Sequence, residues 1–363
     1  MVGREVIFNL HKKEQEPGRE VLRLENVSAV NNKNLPALHS VCLDLREGEI
    51  LGIAGVAGNG QSELVEVITG LRSCSGKIWM EGKNIANKPP AFSISQGLAH
   101  VPEDRIGVGS APNLTLTSNI IMKRYDQEPL SHKWQLNYLA ADELAKQLKG
   151  EYDIQAPSIQ TQARKLSGGN LQKLILAREL SNAPRLIMAM QPTRGLDVGA
   201  IESVQQLLLL QREQGCGILL VSEDLDELLA LSDRIAVMYE GEIVGMLQSD
   251  DFDITKIGLM MTGTRFQDLP PSECAALGDV PVSTFDETLQ ALKTYEIAQQ
   301  EAAQKAEIEL AQAEEQALQE EQASVEGEEA PAAEEGENWL PESEKDRVLR
   351  KVLGQKYKGE GEE

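Results

Sequence analysis

Residues 49–69 read EILGIAGVAGNGQSELVEVIT. Glu49–Gly55 is a short apolar run of the kind that forms a buried strand, and it empties into a turn built on Gly55, Gly58 and Gly60. From Ser62 to Thr69 apolar residues return at helical spacing. Strand, glycine-rich loop and helix is the arrangement that cradles a phosphate, because glycines let backbone N–H groups turn toward an anion at a helix N-terminus. Gly55 to Ser62, with Asn59 inside, has the spacing of the loop G-x-x-x-x-G-K-[ST], and Ser62 keeps the hydroxyl that would sit on Mg2+. Gln61 stands where the lysine belongs, so the point charge for the terminal phosphates is missing. Taken alone, such a turn is equally an ordinary tight strand–helix connection.

The surrounding chain alternates in the same way. Val21–Val27 and Leu38–Leu45 alternate apolar and polar residues, as half-buried strands do. Arg185–Met190, Gly217–Ser222 and Ile235–Met238 are short apolar runs, while 133–150 and 171–181 predict helices. That order predicts an α/β fold with a covered, mainly parallel sheet. The 363 residues suffice for one large domain or two smaller ones.

Composition excludes several classes. No apolar run approaches the roughly 18 residues of a membrane span, and the N-terminus lacks a signal-like apolar segment, so the chain is expected to be neither secreted nor membrane-embedded. Cys42, Cys74, Cys216 and Cys274 have no metal-like spacing, and reduced thiols are expected. The net charge is −23, with 25 of the 58 acidic and 8 of the 35 basic residues in 266–363. Such acidity argues against nucleic acid as a partner. Residues 266–363 read as an acidic tail, part solvated helix and part disorder, ending in an amphipathic stretch that could dock.

Two further motifs carry chemistry. Leu166-Ser167-Gly168-Gly169-Asn170-Leu171-Gln172-Lys173 sets a hydroxyl and two glycine N–H groups at the start of a predicted helix, which is an anion site and also an ordinary helix cap. Downstream, the apolar run ending at Met190 continues as Gln191-Pro192-Thr193-Arg194-Gly195-Leu196-Asp197.

Together the stretches GVAGNGQSELVEVITGL, GLAHVPEDR, KLSGGNLQKLILAREL, QPTRGLDVGA and LSDRIAVMYEGEIVG resemble the ABC-type ATPases that import simple sugars and nucleosides. These importers carry two ATPase domains in one polypeptide, and the chain resembles the second, in which catalytic residues are commonly replaced. The resemblance covers residues 20–263 and implies an ABC-type P-loop domain over 21–265. Such a domain has a mainly parallel core sheet, an antiparallel β subdomain and a helical signature subdomain near 103–165. Residues 1–20 then read as a linker remnant, because Met1–Val6 resembles the segment joining the two domains. The first, catalytically equipped domain is expected outside this chain, whether the chain is a fragment or one product of a split gene.

The same resemblance assigns roles residue by residue. Gly55, Gly58, Asn59, Gly60, Gln61 and Ser62 would form the nucleotide loop, with Ser62 as a weak magnesium ligand. Met190 and Gln191 stand where the family has a metal-supporting Asp and a catalytic Glu; a thioether is no ligand for a hard cation, and a neutral amide is a poor proton acceptor. Glu223 replaces a switch histidine, as in the nucleoside branch (linked to basic membrane lipoproteins), and Glu103 replaces the glutamine of the loop that couples to the membrane partner. No aromatic residue for stacking adenine occurs between Glu25 and Ile50, where His39 is the nearest substitute. By contrast the signature residues Ser167, Gly168, Gly169, Asn170 and Gln172, and Asp197 of the loop beside them, are retained to touch ATP held by another domain.

The losses fall on one composite site and the retained residues serve the opposite one. The expectation is an energy-coupling subunit, with ATP and Mg2+ as cofactors and negligible hydrolysis by the isolated chain. At the cytoplasmic face of the cell membrane its expected partners are a competent ABC ATPase domain and two permease subunits, and it works indirectly with an external substrate-binding lipoprotein. A soluble, non-transport ABC protein and a non-catalytic regulatory module are the alternatives.

Overall fold

The computed structural model describes residues 12–132 and 135–263. The chain divides into Met1–Ile297 and Ala298–Glu363. The expected acidic tail and the segment Met1–Val6 lie outside the described residues.

Strands β1 (Glu20–Val30) and β2 (Pro36–Arg46) pair antiparallel, Leu24 opposite Leu43, and lead into β3 (Ile50–Ala54), all five residues of which are buried. Helix α1 (Gln61–Thr69) follows the glycine loop. Strands β4 (Ser75–Met80) and β5 (Lys83–Asn84) complete a four-stranded antiparallel sheet in the order β2-β1-β4-β5. A short helix α2 (Pro90–Ser95) returns the chain to β6 (Leu98–Val101). Next come α3 (Leu116–Ile121), the hairpin β7 (Ser131–His132) and β8 (Gln135–Leu136), α4 (Tyr138–Glu151) and α5 (Gly168–Leu180). The remainder alternates: β9 (Leu186–Met190), α6 (Val198–Glu213), β10 (Gly217–Val221), α7 (Leu225–Leu231), β11 (Arg234–Tyr239), β12 (Glu242–Gln248) and α8 (Ile254–Met261).

The central sheet runs β12-β11-β3-β10-β9-β6, parallel except for β12 at its edge. Both faces are covered, which explains why its strands read as continuous apolar runs. Ile50, Ile187, Ile218, Leu220, Ile235 and Val237 face a core shared with α3 to α8. Leu51, Ile53, Met188, Leu219, Ala236 and Met238 face the other core, shared with α1 and the antiparallel sheet. Each such Leu, Ile, Val or Met side chain, fully buried, stabilises the fold by about 1.5–3 kcal/mol relative to exposure. Arg234 on β11 ties the two sheets together through Glu49 and through Asp44 on β2, whose Oδ2 lies 3.2 Å away. Burial opposes that charge, but the two carboxylates more than offset it and hold the guanidinium above its ordinary pKa.

Local structure departs from the sequence reading in three places. Among its described residues the segment 133–150 is no single helix: Gln135–Leu136 form β8, and α4 begins only after Asn137, whose side chain accepts the Ala140 N–H. Helix α5 starts at Gly168 rather than 171, because Ser167 caps it. Cys74 and Cys216 are free and buried, as expected, but Cys42 is disulfide-bonded.

Candidate nucleotide-facing site

Parallel pairing decides where the loops lie. Val221 pairs with both Ile53 and Met190, and Ala189 pairs with Val101. The loops leaving β3, β9, β10 and β6 therefore emerge together at the carboxyl edge of the sheet, where open α/β sheets hold ligands. These loops carry Gly55–Ser62, Gln191–Asp197, Ser222–Asp224 and Glu103–Arg105.

The glycine loop has the expected shape but is partly filled from within. Gly60 sits at φ 101° as the residue before α1, which has no side-chain cap. Among described helices of eight residues or more, only α1 starts this way; Asn137, Ser167, Asp197 and Asp253 cap the others. An uncapped N-terminus is what an anion would complete. Gly58 and Ser62 are exposed. Gln61 turns back, however: its Nε2 donates to the Val56 carbonyl at 3.0 Å, and its Oε1 accepts the Asn59 N–H at 3.1 Å. The residue expected to reach phosphate is thus 7% exposed and occupies one of the loop's own donors. Asn59 is held by the β11–β12 turn, its Oδ1 accepting the Glu240 N–H at 2.9 Å. His39 is exposed, and its backbone N–H reaches the Gly241 carbonyl in that turn.

The remaining positions on this side are tied to one another. Gln191 adopts φ 45° with its side chain 8% exposed, and its Oε1 accepts the Glu223 N–H at 3.3 Å. Arg194 bonds Glu103 directly and lies 3.9 Å from Glu223 Oε2, so both introduced carboxylates face one guanidinium. Behind them Glu227 is buried and accepts the Thr193 and Ser222 hydroxyls at 2.8 and 2.7 Å. Burial raises its pKa, and these hydroxyls only partly offset the effect.

This donor set does not fit a magnesium ion. Met190 offers a thioether and Gln191 an amide, Glu103 and Glu223 are engaged with Arg194, and Ser62 is a single hydroxyl. Among the described residues no group of three or more His, Cys, Asp or Glu is placed to hold a metal.

The signature loop is arranged differently. Ser167 Oγ accepts from Asn170 Nδ2 at 2.9 Å and from the Asn170 N–H, which leaves its own proton free to donate. Ser167 and Gly168 are exposed, and a Cβ added at Gly168 would meet nothing within 4 Å. Asn170 itself is anchored by the Gln155 N–H at 2.7 Å. Asp197 caps α6 through the Ala200 N–H at 3.0 Å, and Gly169 packs so close to Ala200 that a Cβ there would lie 3.1 Å from its methyl. The two retained loops are therefore neighbours. Gln172 departs from its expected place: it has no exposed surface, and its Oε1 accepts Arg105 Nε at 2.7 Å, so it serves the interior of its own chain.

Arg105, Arg194 and Glu227 are central to these contacts yet were not singled out by the sequence reading. Their partners lie up to 91 residues away, as for Arg194 and Glu103, and no spacing rule reports such pairs.

Known proteins resemble this chain in sequence and in fold. Residues 38–194 match the family model described as ABC transporter. The chain is 48% identical over 266 residues to the glucose import ATP-binding protein TsgD13 of Haloferax volcanii, covering 72% of this chain and 48% of that protein. It is 42% identical over 265 residues to the guanosine import ATP-binding protein NupO of Bacillus subtilis, covering 73% and 52%. The nucleoside import ATP-binding protein NupA of Lactococcus lactis matches at 39% identity, covering 72% and 52%. The chain thus spans about half the length of these relatives. Among solved structures, a nucleotide-free ATP-binding cassette of an ABC transporter superposes with a TM-score of 0.54 at 25% identity, covering 63% of this chain and 92% of that one. The dimeric post-hydrolysis cassette MJ0796, bound to ADP and Pi, gives the same TM-score at 23% identity, covering 64% and 100%, and shares the fold.

Proposed function

From the premise that this chain carries an ABC transporter ATP-binding cassette, we propose that it is the energy-coupling half of an importer for nucleosides or simple sugars. In this reading the chain's own ATP site is degenerate. Its signature loop completes the ATP site of a second, competent cassette. The observation that supports this most directly is the contrast between Gln61, folded into its own loop, and Ser167–Gly168, exposed with a hydroxyl and amides to donate.

Chemically, Ser167 and the N–H groups of Gly168 and Gly169 would bind the γ-phosphate of ATP held by the opposing loop. Closure of the pair then depends on ATP, since without that anion the start of α5 has nothing to meet. The cargo assignment follows the relatives, whose names state glucose, guanosine and nucleoside import. The missing histidine at Glu223 resembles the nucleoside branch. The proposed partners are two permease subunits, met at the cytoplasmic membrane face, and, indirectly, an external binding lipoprotein. The proposed permease contact is the segment 103–165, which exposes Ile106, Tyr138 and Leu139 at 63%, 73% and 79%. No helix among the described residues is long and apolar enough to cross a membrane.

The test is steady-state ATP hydrolysis by the purified full chain, alone and mixed with a competent cassette. The expected result is negligible turnover alone and turnover with the partner that falls when Ser167 is replaced by Ala. Strong magnesium-dependent hydrolysis by the chain alone, abolished by Ser62→Ala, would overturn the reading.

A further inference from the structure

The two outward loops come from different elements, the start of α5 and the turn between β9 and α6, yet in the proposed trans reading they serve one site. At the front they meet through the close packing of Gly169 on Ala200. At the back a single guanidinium joins them. Arg105 Nε donates to Gln172 Oε1 on α5 at 2.7 Å, while its Nη2 donates to the Arg194 carbonyl at 2.6 Å and, more weakly, to that of Pro192 at 3.5 Å. Gln172 lies five residues beyond the Ser167 cap, and Arg194 lies three residues before Asp197.

We propose that Arg105 is the positioning residue of the outward face, locking the signature helix and the Asp197 loop into one unit. Three features support the assignment. Arg105 is itself held in a tight turn, with Asp104 Oδ1 accepting the Ile106 and Gly107 N–H groups at 3.0 and 2.9 Å and Ser110 Oγ donating to the Arg105 carbonyl at 2.8 Å. The Gln172 carboxamide has no exposed surface and its Nε2 has no partner, so Arg105 is what orients it. A planar guanidinium can donate in two fixed directions at once, which a lysine ammonium at the end of a flexible stem does not do. Because Arg105 also follows Glu103 by two residues, the lock connects the loop leaving β6 to the outward face without passing through the chain's own glycine loop. The proposal rests on the trans reading of the signature loop for its consequence in catalysis, but not for the lock itself.

Amide hydrogen exchange on the full chain tests the lock directly. Arg105→Met is expected to raise exchange in peptides covering 166–172 and 192–197 together, by about tenfold or more, with the β1–β2 peptides unchanged. Arg105→Lys should behave like Arg105→Met, and Gln172→Leu should reproduce the rise at 166–172 should either arginine variant fold poorly. Release of one loop only, or wild-type protection in Arg105→Lys, would overturn the proposal. With a competent cassette added, Arg105→Met should lower kcat for ATP at unchanged KM, the mark of an interaction made only on closure. If Ser167→Ala leaves that turnover untouched, the trans reading fails while the exchange result still decides the lock. If Ser167→Ala acts and Arg105→Met changes neither exchange nor kcat, the lock alone fails.

Discussion

The glycine loop at Gly55–Ser62 and the signature loop at Ser167–Gly169 both lead into helix N-termini, the kind of place that suits an anion, and they differ in what their polar groups are doing. In the first, Gln61 bridges the Val56 carbonyl and the Asn59 N–H, so the loop is satisfied by its own chain. In the second, every described bond on Ser167 is one it accepts, which leaves its hydroxyl proton free, and Gly168 beside it is exposed. A cradle can be lost without losing its fold, if a side chain supplies inside the loop what the ligand supplied from outside. Satisfaction of polar groups, more than sequence identity with a motif, separates a retained site from a relic.

The strongest way to break this contrast is at Ser167. With a competent cassette, Ser167→Ala is expected to lower kcat about a hundredfold, the scale for losing one donor that stabilises charge in the transition state. Its effect on the chain's own stability should stay near ~1 kcal/mol, the usual worth of a helix cap, as measured by denaturant unfolding. A comparable loss on mutating Ser62 instead would reverse the assignment of the two loops.

The second prediction tests whether the relic can be reopened. Gln61→Lys removes the internal bridge and restores a charge for phosphate, so ATP affinity of the isolated chain should rise by about tenfold or more, the value of one charge-assisted hydrogen bond. Equilibrium binding of a fluorescent ATP analogue measures it. Unchanged affinity would mean that Glu103, Glu223 and Arg194, not Gln61, close this side.

A smaller effect is expected at His100, on β6 just before the Glu103 loop. Burial, and then the nearby Lys123, push its pKa down to about 4, and its Nε2 is buried without a partner. Its folded-state pKa is below the unfolded value, so the unfolded chain takes the proton first as pH falls. The stability it contributes is complete above about 6.5 and is lost as pH falls toward 4. His100→Gln should flatten the stability profile in that window, and an unchanged slope would show that other groups set it. The smallest effect belongs to Arg194→Met. Arg194 is 57% exposed and Glu103 42%, so the pair is worth under about 1 kcal/mol and the melting temperature should move by only a few degrees.

Much of this was legible in the chain. The apolar runs at Ile50–Ala54, Leu186–Met190 and Gly217–Val221 announce a covered parallel sheet because both faces must be buried. The replacements at Gln61, Met190, Gln191 and Glu223 could be named from their places in the motifs. What the sequence could not convey was where the replacement side chains turn. A glutamine at position 61 reads as a lost lysine; that it fills its own loop depends on a backbone turn. Gln172 read as part of an exposed signature, because helical phase from the Ser167 cap, which places it inward, is visible only once the start of α5 is fixed. Arg105 and Glu227 were overlooked for a related reason, since each has a partner far along the chain, Arg194 at 89 residues and Thr193 at 34.

The common edge at which β3, β6, β9 and β10 deliver their loops has a consequence for how the domain can change. The strands are held by two apolar layers to which the four loops contribute only the half-buried Leu196, at the margin of one of them. Substitutions at Gln61, Gln191 and Glu223 therefore leave the packing of the strands themselves in place. In the proposed trans reading, such a domain can cease to turn over its own nucleotide while its surface still completes a neighbour's.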